Sequence, residues 1–122
     1  MSPAILALHI TAILLSIGGQ FLLKAGALSF RAIALGDLAD KFWVIVLNPF
    51  IWGGLSLYGI SAAGYIVVLS RAPLSIAAPL ISVSYIFTVV GGAFFFGEPL
   101  PPLRLVGVFL IMMGVVLVVN AK

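Results

Sequence analysis

Four of the polar side chains in the first apolar segment of this 122-residue chain recur at helical spacing. They are His9, Ser16, Gln20 and Lys24, separated by seven, four and four residues. Because an α-helix turns about 100° per residue, these intervals return to one side, and we predict a polar stripe along the helix. An ammonium group with an amide one turn below it is suited to binding an anion such as phosphate.

Two of these side chains allow more than one interpretation. Lys24 lies near the end of the segment and can either snorkel to lipid headgroups or stand at the mouth of a cavity. In the second case Gln20 would be its hydrogen-bond partner, and Arg31 would add to the positive field. For His9, a packed or interfacial position is favoured over a role as proton carrier.

Two further apolar segments carry polar stripes. The second has Tyr58, Ser61 and Tyr65 on one face, and the third has Ser82, Tyr85 and Thr88. Polar groups are costly in lipid unless they face protein or water, so we predict that three helices enclose a polar cavity. The predicted substrate-binding residues are Ser16, Gln20, Lys24, Tyr58, Tyr65, Ser82 and Tyr85.

Composition places the chain in a membrane. Apolar residues make up 64% and charged residues 7%, with a mean hydropathy of +1.37, whereas soluble domains carry about 25% charged residues. The net charge of +3 is spread along the chain, which argues against a nucleic-acid partner. With no cysteine, one histidine and no acid pair, we expect no disulfide, metal site, cofactor or catalytic activity.

Four segments are long enough to cross a bilayer, which takes roughly 20 residues. We predict an all-α membrane protein with a single four-helix transmembrane domain over residues 1–122. Its helices run over about 3–28, 49–70, 74–96 and 102–119. The first is expected to be a retained helix and not a signal peptide, since no cation precedes its long apolar run.

The link between the first two spans contains a possible short helix. Asp37 is placed to cap it, and apolar residues then recur at helical spacing. We predict an amphipathic segment lying in the membrane interface, with an extension of the second span as the alternative. Cations on the two sides of the membrane number three and two, so either orientation, or a mixture of both, stays open.

Small residues and prolines mark further features. Gly107 and Gly114 lie seven apart on the fourth span, which has no polar stripe, and favour a dimer interface over internal packing. Pro79 predicts a kink in the third span. The pair Gly18–Gly19 permits either a bend or the close approach of another helix.

The carboxylates lie outside the middle of every span, and Glu98 is expected at the interface near the start of the fourth.

Several segments are similar to those of a known family. They are GGQFLLKAGA (18–27), PLSIA (73–77), FGEPL (96–100) and LVGVFLIMMGVVL (105–117). The chain resembles the drug/metabolite transporter superfamily in its four-helix, small-multidrug-resistance-like branch. It looks most like undecaprenyl-phosphate-aminoarabinose flippase subunits and their EamA-like relatives.

The resemblance implies transport by alternating access in a dimer, either of two copies or with a related four-helix chain. It also implies a cell-membrane location, the inner membrane in a Gram-negative cell. Drug-exporting members carry a glutamate in the first helix that this sequence lacks, which favours a flippase of an anionic, polyprenyl-phosphate-linked lipid. The alternatives are an exporter of hydrophobic small molecules and a non-transporting accessory subunit.

Overall fold

The protein is an all-α, multi-pass membrane protein. The computed structural model describes residues 2–29 and 38–121. In this part of the chain there are six α-helices and one 3₁₀ segment: α1 (Pro3–Leu28), α2 (Leu38–Leu47), α3 (Pro49–Leu69), α4 (Leu74–Leu80), the 3₁₀ segment (Ile81–Val83), α5 (Ser84–Phe96) and α6 (Pro102–Asn120). Four spans are long and apolar enough to cross a membrane: α1, α3, the unit from α4 to α5, and α6.

Side-chain caps and prolines fix where the first and third helices begin. The Ser2 hydroxyl accepts the N–H of Ile5, and the Asn48 side chain accepts the N–H of Phe50 at 2.8 Å. A proline follows each capping residue, at a position where its missing N–H costs nothing. The sequence therefore located both starts correctly.

The short helix α2 is separate from α3. Asn48 between them has extended backbone angles, φ −81° and ψ 118°, which end one helix and cap the next. The alternative of a simple extension is therefore wrong, while an interfacial position of α2 stays a prediction. Asp37, predicted to cap α2, and Arg31 lie outside the described residues.

The third span breaks where its proline predicted a kink. Pro79 has no N–H to bond to the carbonyl of Ser75, and the backbone tightens into the 3₁₀ segment two residues later. The N–H of Ile81 bonds to the carbonyls of Ala78 and Pro79, whereas a regular α-helix would send it to Ala77. The break thus removes the helical donor from the Ala77 carbonyl.

Glycines bring α1 and α3 into close contact. A Cβ atom added to Gly19 would lie 2.9 Å from the Gly54 carbonyl oxygen, and one added to Gly26 would lie 2.7 Å from Ile51 Cδ1. Since α1 runs unbroken through Gly18–Gly19, the pair serves close approach and not a bend. Without side chains here, the two backbones pack at a distance that larger residues forbid.

The third and fourth spans contact the rest of the bundle at different heights along the membrane-spanning helices. On α5, Gly91 makes room for the ring of Phe21 on α1. Val68, Ala72 and Ala77 form a small core where α3 turns into α4. Helix α6 packs against α4 and the 3₁₀ segment, and Val115 is its only buried residue.

Candidate functional site

Helices α1 and α3 and the 3₁₀ segment line an open pocket of about 240 Å³, here called the polar cavity. Its lining residues are His9, Ala12, Ile13, Ser16, Gln20, Tyr58, Ser61, Ala62, Tyr65 and Ile81. Six of these ten carry polar side chains, although all lie in membrane-spanning helices. Most of the exposed surface of the wall is apolar, with these polar groups set into it. Polar groups at this depth are stable when they face protein, water or a polar ligand and not lipid.

The structure brings together some of the predicted substrate-binding residues. Ser16, Gln20, Tyr58 and Tyr65 line the polar cavity, as the stripes of the first two spans indicated. Ser82 and Tyr85 are not among its lining residues, and the third span contributes Ile81 instead. Tyr85 is half exposed on the outer surface of α5.

Two serines of the cavity wall are already hydrogen-bonded to backbone. Ser16 donates to the carbonyl of Ile13 in its own helix at 2.7 Å, and Ser61 donates across to the carbonyl of Ala12 at 2.7 Å. Both hydroxyl protons are therefore already used in hydrogen bonds to the backbone, and that of Ser61 joins α3 to α1. The amide of Gln20 and the phenols of Tyr58 and Tyr65 are further neutral polar groups of the wall.

His9 has a larger part in the site than the sequence indicated. Its side chain is buried, and Nε2 lies 2.8 Å from the carbonyl oxygen of Ala77, the oxygen left free by the break after Pro79. Its ring stacks on Tyr65 with centroids 5.6 Å apart. Nδ1 is buried and has no hydrogen-bond partner among the described residues. The signals in the sequence were the stripe on α1 and the proline in the third span.

Lys24 lies beyond the polar cavity and is paired with a carboxylate. Its Nζ is 3.3 Å from Oε1 of Glu98, and both side chains are about half exposed. The two residues line a second hollow of about 420 Å³ with Ala27, Leu28 and Phe96. Lys24 is therefore ion-paired and is not among the lining residues of the polar cavity, while its position relative to the headgroups stays a prediction.

The turn after α5 positions Glu98 for this pair. Gly97 has a left-handed backbone, with φ +65°, which few other residues adopt readily. The chain then folds back, so that the N–H of Glu98 bonds to the carbonyl of Gly92 at 3.2 Å. A Cβ atom on Gly92 would lie 2.7 Å from Oε2 of Glu98. Both glycines thus hold the carboxylate over the end of α1.

The polar cavity adjoins an apolar one. His9 and Ile13 also line a hollow of about 270 Å³ on the other side of α1. Its remaining lining residues are Leu6, Ile10, Leu14, Leu80, Val83 and Phe87. A polar surface and an apolar surface therefore meet across two residues, an arrangement suited to a ligand that is itself amphiphilic.

Several curated proteins are similar to this chain along most of its length. A protein of Pseudomonas fluorescens (strain Pf0-1), named a probable 4-amino-4-deoxy-L-arabinose-phosphoundecaprenol flippase subunit ArnE, is 30% identical over 111 residues, which are 90% of this chain and 92% of that protein. An ArnF subunit of the same probable flippase from Aeromonas hydrophila is 33% identical over 112 residues, 87% of this chain and 73% of that protein.

A third relative covers less. An ArnF subunit from Shewanella sediminis is 39% identical over 71 residues, so this chain spans about half the length of that protein. No family profile and no solved structure matches the chain. The full-length similarities and the four spans agree with the resemblance noted in the sequence. The chain therefore belongs to the family of small membrane proteins that contains the ArnE and ArnF flippase subunits.

Proposed function

We propose that the chain is one subunit of a flippase that moves a polyprenyl-phosphate-linked lipid across the membrane by alternating access. The observation that carries the proposal is the polar face of α1. It lines the polar cavity from His9 to Gln20, and Lys24 stands one turn beyond. The names of the relatives, which describe subunits of a lipid flippase, support the same conclusion.

The length of this polar face fits a route for a headgroup. From His9 to Lys24 the helix advances fifteen residues, or about 22 Å at about 1.5 Å per residue. The hydrocarbon core is about 30 Å thick, so the polar face extends over most of it. A headgroup moving along α1 would exchange one polar contact for the next, while its hydrocarbon chain stayed in lipid.

Lys24 would receive the phosphate. Its partner Glu98 is half exposed, and an ion pair of that kind contributes only about 0.2–1 kcal/mol. A phosphodiester carries the same single negative charge as a carboxylate and also offers acceptor oxygens, so it can replace Glu98 at the ammonium group. When no lipid is bound, Glu98 would pair with Lys24 and keep its ammonium group at the mouth of the polar cavity.

The remaining wall residues would contact the headgroup further along the route. Gln20 would orient the phosphate from one turn below Lys24, and Tyr58 and Tyr65 would offer ring faces and phenol groups. Ser16 would contribute its oxygen as an acceptor, since its proton is used in its own helix. Ser82 and Tyr85 lie outside the polar cavity, and we propose no contact for them within one chain.

A second chain would complete the site. The polar cavity, at about 240 Å³, falls below the range of about 300–1,000 Å³ usual for small-molecule sites. Cβ atoms added to Gly107 and Gly114 would meet none of the described residues within 4 Å, so internal packing does not account for these glycines. We propose that this face of α6 contacts a second copy or a related four-helix chain.

The test is lipid flipping in liposomes with a fluorescent polyprenyl phosphate. We expect Lys24→Ala to slow flipping about tenfold or more, because the phosphate loses the cation that lines the hollow beyond the polar cavity. Lys24→Arg should retain most of the activity. Arg104→Ala is the matched control, since Arg104 is a cation at the same end of the bundle that bonds to the Pro99 carbonyl. Glu98→Gln should strengthen lipid binding, because the competing carboxylate is gone.

Each other result has a definite meaning. Unchanged flipping by a folded Lys24→Ala variant would end the role of Lys24. Export of a hydrophobic dye without movement of the lipid would favour the small-molecule exporter. If no probe moves until a related four-helix chain is added to the liposomes, the chain is an accessory or partner subunit and not a homodimeric flippase.

A further inference from the structure

The hydrogen bond of His9 fixes which of its ring nitrogens carries the proton. Nε2 lies 2.8 Å from the Ala77 carbonyl oxygen, and a carbonyl oxygen can only accept. Nε2 therefore donates and holds the proton. In the neutral ring that leaves Nδ1 as a lone-pair acceptor. The broken helix in the third span thus determines the hydrogen-bonding character of a side chain on the first.

This acceptor belongs to a residue that lines both the polar cavity and the apolar hollow, and it has no partner among the described residues. The His9 side chain is 1% exposed, and Nδ1 makes no hydrogen bond among the residues described. Buried polar groups in folded proteins are nearly always satisfied, since an unpaired one loses the hydrogen bonds it makes in water. Stacking on Tyr65 and the bond to Ala77 hold the ring in place. Turning the ring over would break the hydrogen bond to Ala77.

The surroundings indicate the chemistry of the missing partner. In the neutral ring with Nε2 protonated, Nδ1 accepts, so its partner must donate a hydrogen bond, which a fully ionised phosphate cannot do. The cavity-lining residues include no carboxylate, so a cationic donor would have no counter-charge there. A neutral hydroxyl group satisfies both conditions. Tyr65 and Tyr58 beside it offer the aromatic faces on which sugar rings commonly pack.

We infer that His9 is a specificity residue whose Nδ1 accepts a hydrogen bond from a hydroxyl group of the transported headgroup. The site lies at the opposite end of the polar face from Lys24, so the two ends recognise different parts of the ligand. Lys24 selects for the phosphate, and His9 selects for a hydroxylated group attached to it. As an account of transport specificity, this inference rests on the proposed function.

Nitrogen NMR tests the inference directly, because His9 is the only histidine in the chain. In the ¹⁵N-histidine-labelled full chain in nanodiscs, we expect the neutral ring with the proton on Nε2. Adding a polyprenyl phosphate that bears one glucose should move the Nδ1 signal towards that of a hydrogen-bonded nitrogen. The same lipid without the sugar should leave the signal unchanged. Equal signals with both lipids would identify bound water only, and a proton on Nδ1 would overturn the inference outright.

Two substitutions separate recognition from structure. His9→Gln places an amide N–H near the position of Nε2, so it keeps the donor to Ala77 and loses the Nδ1 acceptor. His9→Asn places an amide oxygen near Nδ1 and loses the bond to Ala77. We expect His9→Gln to be the more stable variant and His9→Asn to keep more of the preference for the glucosylated lipid. The loss of preference in His9→Gln should be about five- to tenfold.

A purely structural histidine would give a different pattern, with stability and preference falling in the same order in both variants. The test also stands apart from the proposed function. If wild-type protein flips neither lipid, the flippase proposal fails, while the NMR shift still decides whether Nδ1 binds a hydroxyl. If both lipids move equally in wild type and in both variants, the flippase proposal survives and His9 has no part in specificity.

Discussion

The pair of helices α1 and α3 differs sharply from helix α6, although all three span the membrane. Gly19 and Gly54 let the backbones of α1 and α3 touch, and Ser61 bonds across to the Ala12 carbonyl. Helix α6 has the highest hydropathy of the four spans and only one buried residue, Val115. Its glycines face open space within the described chain.

The difference follows from what holds helices together in lipid. Apolar side chains gain little by leaving lipid for protein, so helices associate through close packing and hydrogen bonds. The α1–α3 pair has both and can form the rigid wall of the polar cavity. Helix α6 has neither on its glycine face, which leaves that face for another chain.

The largest effect is expected at the crossing of α1 and α3. Gly19→Leu would drive a side chain into the Gly54 carbonyl, 2.9 Å from the position of Cβ, and we expect a loss of at least about 3 kcal/mol or failure to fold. Gly59→Leu on α3 is the control, because a Cβ atom there meets none of the described residues within 4 Å. Unfolding in detergent, followed by circular dichroism, measures both. Equal stability of the two variants would refute the close crossing.

An effect on assembly and not on folding is expected in α6. Gly114→Leu should leave the unfolding of the single chain unchanged and reduce the dimer fraction about tenfold, because close contact with a partner is blocked. Val116→Leu, which enlarges an exposed residue elsewhere on α6, should have no effect on the dimer. Single-molecule photobleaching in liposomes counts the chains. A dimer that survives Gly114→Leu would place the interface on another face.

The smallest effect is expected from one hydrogen bond. Ser61→Ala removes the bond to Ala12 between helices and should lower stability by about 0.6 kcal/mol, and by no more than about 1.7 kcal/mol. Ser56→Ala removes a bond to Trp52 within the same helix and should have almost no effect. Chemical denaturation in mixed micelles can resolve the difference. A larger loss in Ser56→Ala would contradict the role of Ser61 in joining α1 to α3.

Much of the fold was predictable because its signals are local. Asn48 and the prolines at positions 3, 49 and 102 mark helix starts by chemistry that depends on neighbouring residues alone. The stripes of α1 and α3 also predicted correctly that Ser16, Gln20, Tyr58 and Tyr65 share a cavity wall, because both helices keep a regular turn.

The rest depended on irregular backbone and distant contacts. The prediction for Ser82 and Tyr85 assumed that the helix turns about 100° per residue. The 3₁₀ segment turns faster, so the residues after Pro79 face other directions than predicted. The partner of Lys24 is 74 residues away and reaches it through the left-handed turn at Gly97. The bond from His9 likewise required a carbonyl freed in another helix. Helical spacing carries no information of this kind.

A water-filled polar route along α1 can be detected by labelling single cysteines with a water-soluble maleimide. The chain has no cysteine of its own, so each signal has one source. In protein reconstituted in liposomes, we expect rapid labelling of Ser16→Cys and Gln20→Cys, which lie on the polar cavity. Leu14→Cys, on the exposed apolar face of α1, should not be labelled. Equal protection of all three positions, or faster labelling at position 14, would show that no water-filled polar route follows α1.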